Sequence, residues 1–373
     1  MIIATHIEFW GHGYRREVWI GILDYLFDHP GVRLYPGETQ SLALADVPAV
    51  VDGVVGALPG GDSAGMPAVD VFLSRDWTNP RVGSDNSVVA RMAFEHFRSM
   101  GLRNLAALDI PHLHDVRCEP FVEACHEQGF FPHVIVADHF GDWPNYRIPA
   151  EYRDQWVRQL RSLPKPAGLF LPQDAAYPPI LRLCKELHIR VPEDLTFLGA
   201  NNNSVYCFHS EPNLSSIELG AERIGYAAME NLVAMINGES IPDETLIPPR
   251  EVIARESSNF TIDEHPTVTK VLDYIHANLA EPLETEDLLA QQSLQRRAFE
   301  THFRKACGAS PKQYLIGVRL EKVRHLLETT DLYVSEIGNR CGMPSLHHLC
   351  HLFRRKYGMT PQAYRDGIQT RQS

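Results

Sequence analysis

A chain of 373 residues, 44% hydrophobic and 22% charged, is long enough for two or three domains and has the composition of an ordinary globular protein, not a disordered or fibrous one. No apolar run reaches the ~18 residues that a bilayer-spanning helix needs, and the opening MIIATHIEFWGHGYRRE lacks a signal-peptide pattern, so a cytoplasmic protein without a membrane partner is expected. The net charge of −12 is uneven: from residue 266 on, fifteen Lys and Arg face eleven Asp and Glu, a net +4, which leaves −16 for residues 1–265 and predicts a different partner for each part.

In chain order, the first ~258 residues alternate short aliphatic runs with amphipathic stretches. MIIATHIEF, VVDGVVGAL, VDVFLS, LAALDI, HVIVAD, AGLFLP and LTFLGA have the near-continuous apolar character of strands covered on both faces. VVARMAFEHFRSMG, FVEACHEQG, PPILRLCKELHI and AERIGYAAMENLVAMINGE are helical in period, with Gly101, Gly129 and Gly238 placed where left-handed caps are expected. This predicts an α/β unit with a parallel sheet. EVIARESSNFTIDEHP reads as a last strand running into a linker, 259–265, after which every element is helical.

The helical part, 266–373, repeats itself at an offset of 50. Phe303-Arg304, Gly308, Ser310-Pro311 and Tyr314 return as Phe353-Arg354, Gly358, Thr360-Pro361 and Tyr364. Each copy reads as a short helix, a turn and a second helix with an apolar side (Phe299 and Phe303; Leu349 and Phe353), which is a helix-turn-helix pattern. The polar sides lead with Gln295, Arg296, Arg297 and Thr301 in the first copy and Ser345, His347, His348 and His351 in the second; arginine and histidine can donate to guanine acceptors. Arg304, Lys305, Arg354, Arg355 and Lys356 lie a turn further along, where phosphates are the expected contacts. Between the copies runs a predicted helix of roughly 20 residues, ~30 Å long, close to the ~34 Å separating successive major-groove faces of a duplex. Double-stranded DNA is the partner that a rod with two readers at this spacing fits.

Residues 266–368 resemble the DNA-binding domain of the AraC/XylS family, most closely in CGMPSLHHLCHLFRRKYGMTPQAYR. That resemblance implies base reading by Gln295, Arg296, Arg297 and Thr301 from one helix and by Leu346, His347 and His351 from the other. Three positions depart from the family pattern: Met343 replaces an aromatic, Leu349 a phenylalanine, and Tyr333 a helix cap. Leu346 could touch only a thymine methyl.

Residues 1–255 resemble LacI/GalR-type sensor domains in three landmarks occurring in order: NPRVGSDNSVVARMAFEHFRSMGLRNLAAL, GLFLPQDAAYPPILRLCKELHIRVPEDLTFLGANN and PNLSSIELGAERIGYAAMENLV. The implied fold is a two-lobed, type I periplasmic-binding-protein-like sensor with a sugar cleft. The implied ligand residues are Asp85, Arg117, Asp174 and Asn201, the last standing where relatives carry an aspartate, with Trp10, Tyr14 and Trp77 as stacking candidates. Asp85 and Asp174 could instead cap helices. A LacI-like sensor ahead of an AraC-like reader resembles the arrangement of bacterial xylose operon regulators. That implies D-xylose as effector, a homodimer, and RNA polymerase as a partner if the protein activates.

An enzyme finds no G-x-S-x-G, P-loop, H-E-x-x-H or G-x-G-x-x-G in the sequence, and HLHD at 112–115 is a weak metal motif. Seven cysteines form no CxxC pair, so reduced thiols and no structural zinc are expected. The expectation is a DNA-binding, sugar-responsive regulator without cofactor or metal. Another sugar or small metabolite as effector, or a cytosolic sugar-binding protein or enzyme, stays open as the alternative.

Overall fold

A computed structural model describes residues 1–7, 13–35, 50–56, 65–71, 79–111, 117–137, 148–259, 266–281 and 283–372. Its elements begin with β1 (Ile2–His6), α1 (Tyr14–Asp28), β2 (Arg33–Leu34), β3 (Gly53–Gly56), β4 (Ala68–Asp70) and β5 (Arg81–Ser84). Next come α2 (Asn86–Ser99), β6 (Asn104–Asp109), α3 (Cys118–Glu127), β7 (His133–Val136), α4 (Arg153–Ser162) and β8 (Ala167–Phe170). They are followed by α5 (Tyr177–Glu186), β9 (Leu195–Ala200), α6 (Ser204–Phe208), β10 (Ser215–Glu218), α7 (Ala221–Ile236), β11 (Glu244–Ile247) and β12 (Glu251–Ile253).

Among the described residues these strands form two six-stranded sheets, ordered β11-β5-β4-β3-β1-β2 and β12-β10-β9-β8-β6-β7. The pairings are parallel except for β12, which returns antiparallel along β10. β3, β8 and β9 are buried along their whole length, as the unbroken apolar runs require. In the second lobe one sheet face packs Trp156, Tyr177 and Phe197, and the other packs Phe97, Phe121 and Phe170 under α2 and α3. The first lobe packs α1 and α7 over Ile3, Val55 and Val69. Those helices cross with their backbones in contact: a Cβ on Gly21 would come to 1.7 Å from the Glu222 oxygen, and one on Gly225 to 2.0 Å from the Val18 oxygen. The chain changes lobe between β5 and α2, between β10 and α7, and between β11 and β12.

The helical part comprises α8 (Pro266–Ala277), α9 (Thr285–Ala290), α10 (Arg296–Cys307), α11 (Pro311–Thr329), α12 (Val334–Arg340), α13 (Leu346–Tyr357) and α14 (Pro361–Gln372). Of the segment read as a linker, 260–265 lie outside the described residues. The repeat recurs in the geometry. Gly308 (φ 68) and Gly358 (φ 82) end α10 and α13 in the left-handed region. Ser310 and Gln313 then close a capping box on α11, and Thr360 accepts the Ala363 N–H at 3.3 Å to start α14. Each copy has its own core. Phe299, Phe303, Tyr314 and Leu315 pack with α8, whereas Leu320, Val323, Leu327, Leu349 and Phe353 form a second cluster. α11 feeds one core with its first turns and the other with its later ones; its 19 residues make a rod of about 28 Å.

The helical part is docked on the second lobe. His276 of α8 places Nδ1 3.0 Å from the Gly129 carbonyl and stacks on Phe130 at 4.3 Å, while Phe131 packs against the first reader's core. Asp273 lies 3.7 Å from both Arg98 and Arg103. From α11, Arg324 donates to the Pro132 carbonyl (3.2 Å), Glu321 approaches His133 (3.4 Å), and His325 lies against His126 with ring centres 3.8 Å apart.

Candidate functional site

Open α/β sheets take small ligands beyond the carboxyl ends of their strands, and there the lobes meet. Tyr14 starts α1 and donates its hydroxyl to the Val71 carbonyl (2.9 Å) just past β4. Burial raises its pKa, Arg117 opposes the rise and Asp70 adds to it, so a neutral phenol sits in the field of both charges. Arg117, preceding α3, donates Nε to Asn86 Oδ1 (3.2 Å) and Nη1 to the Pro172 carbonyl (2.6 Å). Those two contacts fix the guanidinium between the start of α2 and the end of β8.

Asp174 is 1% exposed. Its carboxylate accepts from Ser216 Oγ (2.7 Å) and the Asn203 N–H (2.7 Å), with Cys207 Sγ at 3.8 Å. Burial pushes its pKa up to about 7 against the pull of these donors and of Arg117. Asn203 accepts the Val205 N–H (3.1 Å) to cap α6 and abuts the first lobe, where a Cβ on Gly13 would come to 2.4 Å from its amide nitrogen. Gly13, at φ 66, is therefore doubly suited to glycine. Beside this contact Asn201 and Asn202 hold φ 107 and 48; non-glycine residues in the left-handed half of the map concentrate at ligand sites. The Asn201 amide oxygen is buried with no hydrogen-bond partner among the described residues.

The structure thus brings Tyr14, Arg117 and Asp174 together and puts Asn201 on the adjoining turn. Asp85 caps α2, its Oδ1 accepting the Ser87 and Val88 N–H groups, both at 3.1 Å. Trp10 and Trp77 lie outside the described residues. Asn86 enters the sequence reading only within the Asp-Asn landmark, and Asn203 and Ser216 not at all; the NNNS run at 201–204 marks a turn, but nothing local says that Asp174 would fill it.

The predicted reading faces are solvent-exposed. Gln295 precedes α10, and Arg297, Thr301, Arg304 and Lys305 are exposed along it. Thr301 Oγ1 bonds back to the Arg297 carbonyl (2.8 Å) one turn earlier. Arg296 is shared between Glu300 (3.0 Å) and Glu286 (3.7 Å); such exposed pairs are worth well under ~1 kcal/mol and yield readily to a base or phosphate. On α13, Ser345 caps the helix by accepting the His348 N–H (3.3 Å), and Leu346, His347, His351, Arg354 and Arg355 are exposed. Lys356 differs: its ammonium is held by Glu321 at 2.6 Å. Tyr333 precedes α12 without a side-chain cap bond and is 80% exposed, so that short helix starts uncapped by its neighbour. Among the described residues no group of three His, Cys, Asp or Glu side chains is placed to hold a metal, and no helix is long and apolar enough to cross a membrane.

Two family models match the chain: a periplasmic binding protein-like domain over residues 94–258 and a helix-turn-helix domain over residues 288–367. The Xylose operon regulatory protein of Escherichia coli (strain K12) is 28% identical over 332 residues, which span 87% of this chain and 80% of that one. The protein of the same name from Haemophilus influenzae is 27% identical over 77% of this chain and 74% of its own. A solved structure of the xylose-binding transcription activator xylR superposes with a TM-score of 0.57 at 25% identity, covering 98% of this chain and 97% of that one. The chain is therefore a DNA-binding transcription regulator in which a periplasmic-binding-protein-like sensor precedes a double helix-turn-helix domain, the arrangement it shares with the xylose operon regulatory proteins.

Proposed function

We propose that this regulator answers to D-xylose and activates genes of pentose catabolism. One observation carries this: sensor and reader occur together in a chain that aligns along 98% of its length with a xylose-binding transcription activator. The sugar is taken up between the lobes, with Arg117 and the Asn201 amide as its polar contacts and Tyr14 beneath it. Asp174 holds the Asn203 turn and Asp85 stands at the start of α2, while Trp10 and Trp77 are the candidate stacking residues. Closure shifts the first lobe against the second, and a dimer converts that shift into a new placement of its readers on adjacent half-sites, where RNA polymerase is engaged. The working compartment is the cytoplasm.

The test is a thermal-shift panel of D-xylose, L-arabinose, D-ribose and D-glucose on the full chain. A sugar present at a hundred times its Kd adds about 2.7 kcal/mol to stability, and D-xylose alone is expected to do so; a larger shift from another sugar transfers the effector role to it. Arg117→Ala is expected to remove the increment given by D-xylose while duplex binding without sugar persists. On the DNA side, Arg297→Ala is expected to cost about 1–3 kcal/mol at the cognate operator and almost nothing at a duplex altered at its base. Fluorescence anisotropy against both duplexes decides, and equal losses on the two would take Arg297 out of base reading.

A further inference from the structure

Glu321, in the middle of α11, is only 4% exposed, yet it is surrounded by side chains from three separate elements. Its carboxylate accepts from Lys356 Nζ (2.6 Å) in the last turn of α13 and from Arg324 Nε (3.0 Å) one turn along its own helix. Its Oε1 lies 3.4 Å from Nε2 of His133, on the outermost strand of the second lobe's sheet. Arg324 makes a second tie to the sensor through the Pro132 carbonyl (3.2 Å) and is steadied by Glu328 (2.8 Å).

Burial would raise the Glu321 pKa, but His133, Lys356 and Arg324 outweigh it and hold the carboxyl near about 2. Burial lowers the His133 pKa in turn, against the pull of Glu321, and Lys356 and Arg324 add to the lowering. A buried carboxylate between two cations cannot be removed without stranding one of them. The first reader is attached differently, through His276 and Asp273 on α8 and the close backbone approach of Gly308 to Lys165.

We infer that Glu321 is a positioning residue that ties the second reader to the sensor's second lobe, so that the orientation of α13 on DNA is set from the sensor through His133, Glu321 and Lys356. This deepens the regulator reading and rests on it for the DNA part only. The strand that ends at His133 on the reader side runs parallel to β6, whose far end, Asp109, leads towards Arg117. One strand pair therefore spans the second lobe from the cleft to the reader; α8 meets its reader end through Asp273 and Arg103, and α13 meets it through Lys356, Glu321 and His133.

The experiment compares the full chain with Glu321→Gln and His133→Gln by hydrogen exchange. Exchange across residues 346–357 is expected to speed up at least about tenfold in Glu321→Gln and several-fold in His133→Gln, with residues 296–307 unchanged. His133 contributes nothing to the reader's own core, so an effect of its replacement on α13 is an effect of coupling and not of lost packing. Unchanged exchange over 346–357 in both variants overturns the proposal, and so does an equal rise over α10 and α13, which marks general loosening. A second arm measures affinity for an operator with both half-sites and for one with the half-site of α13 scrambled. Glu321→Gln is expected to lose most of the wild type's preference, at least about tenfold, for the intact operator, while binding the scrambled one as before; retained preference overturns the proposal. A wild-type chain that retards no duplex sinks the regulator reading, and the exchange arm then still decides the coupling.

Discussion

Phe353→Ala is expected to melt the second reader and leave the first one folded. Phe353 is fully buried in the cluster of Leu320, Val323, Leu327 and Leu349, separate from the cluster around Phe299 and Phe303. Truncating a buried phenylalanine costs about 3–5 kcal/mol, a large part of the ~5–15 kcal/mol that holds a domain together. Because each copy keeps its own core, the loss stays local: urea unfolding is expected to show an early transition confined to the last third of the helical part. A footprint on the operator is expected to lose one half and keep the other. Phe303→Ala is expected to do the converse and to weaken docking as well, because Phe131 of the sensor packs into that first core. A footprint lost from both halves together in Phe353→Ala would show that the cores are not independent.

Acidification from pH 7 to about 5 is expected to loosen the helical part from the sensor. His276 is wedged between Gly129, Phe130 and Tyr314, and burial, aided by Arg103, lowers its pKa to about 4, although the Gly129 carbonyl and Asp273 pull upward. A histidine whose folded pKa lies below its unfolded value of 6.5 binds fewer protons when folded. Its stabilising share is complete above pH ~6.5 and disappears as the pH falls towards 4, by about 3 kcal/mol in all. His126, held at about 4 by burial and by its neighbours His325 and Arg324, and the lowered His325 and His133 act in the same direction at the same interface. Glu321, with its pKa near 2, stays charged throughout that window and offers no compensation. Asp174 has the opposite sign: raised to about 7, it favours the folded sensor as the pH falls, so the midpoint to follow is that of the helical part. Urea midpoints at pH 7 and 5, for the wild type and for His276→Gln, settle the matter; an identical pH slope in the two proteins would clear His276 of the effect.

The strands most legible in the sequence are those with near-continuous aliphatic runs, buried throughout in β3, β8 and β9 and only in part in the edge strand β7. β3, β6, β7, β8 and β9 all fall within the aliphatic runs, and Gly101, Gly129 and Gly238 take positive φ where the periodicity ended. β2, β5, β10 and β11 escaped notice. They are two to four residues long; ETLI is a half-exposed strand, and SSIE, although buried, opens with two serines, so nothing in their hydropathy separates them from loops. α1 was hidden differently. YRREVWIGILDYLFD has apolar residues around most of its circumference, and Ile20, Leu23 and Phe27 remain 43%, 45% and 88% exposed, which blurs the periodic signal. The reader repeat was plain because the same side chains must close two equal turns. The cleft was legible only in part: an Asp after a strand announces a polar site, but whether it faces a ligand or the backbone of Asn203 is decided by residues 29 positions away. Lys356 shows the same limit. Its place in a basic run suggested phosphate, and only the fold sets Glu321 beside it, thirty-five residues upstream.

The docking of α8 and α11 on the second lobe also bears on how such a regulator can evolve. What seats the readers is a set of side-chain contacts around Gly129, Pro132 and His133, not the covalent tether that begins after Asn259. Doubling a tether's length adds only about 0.6 kcal/mol to the cost of bringing its ends together. The stretch between strand and helix is thus free to drift in length and spelling, whereas exchanging the reader for one with another operator taste would require carrying the seat along with it.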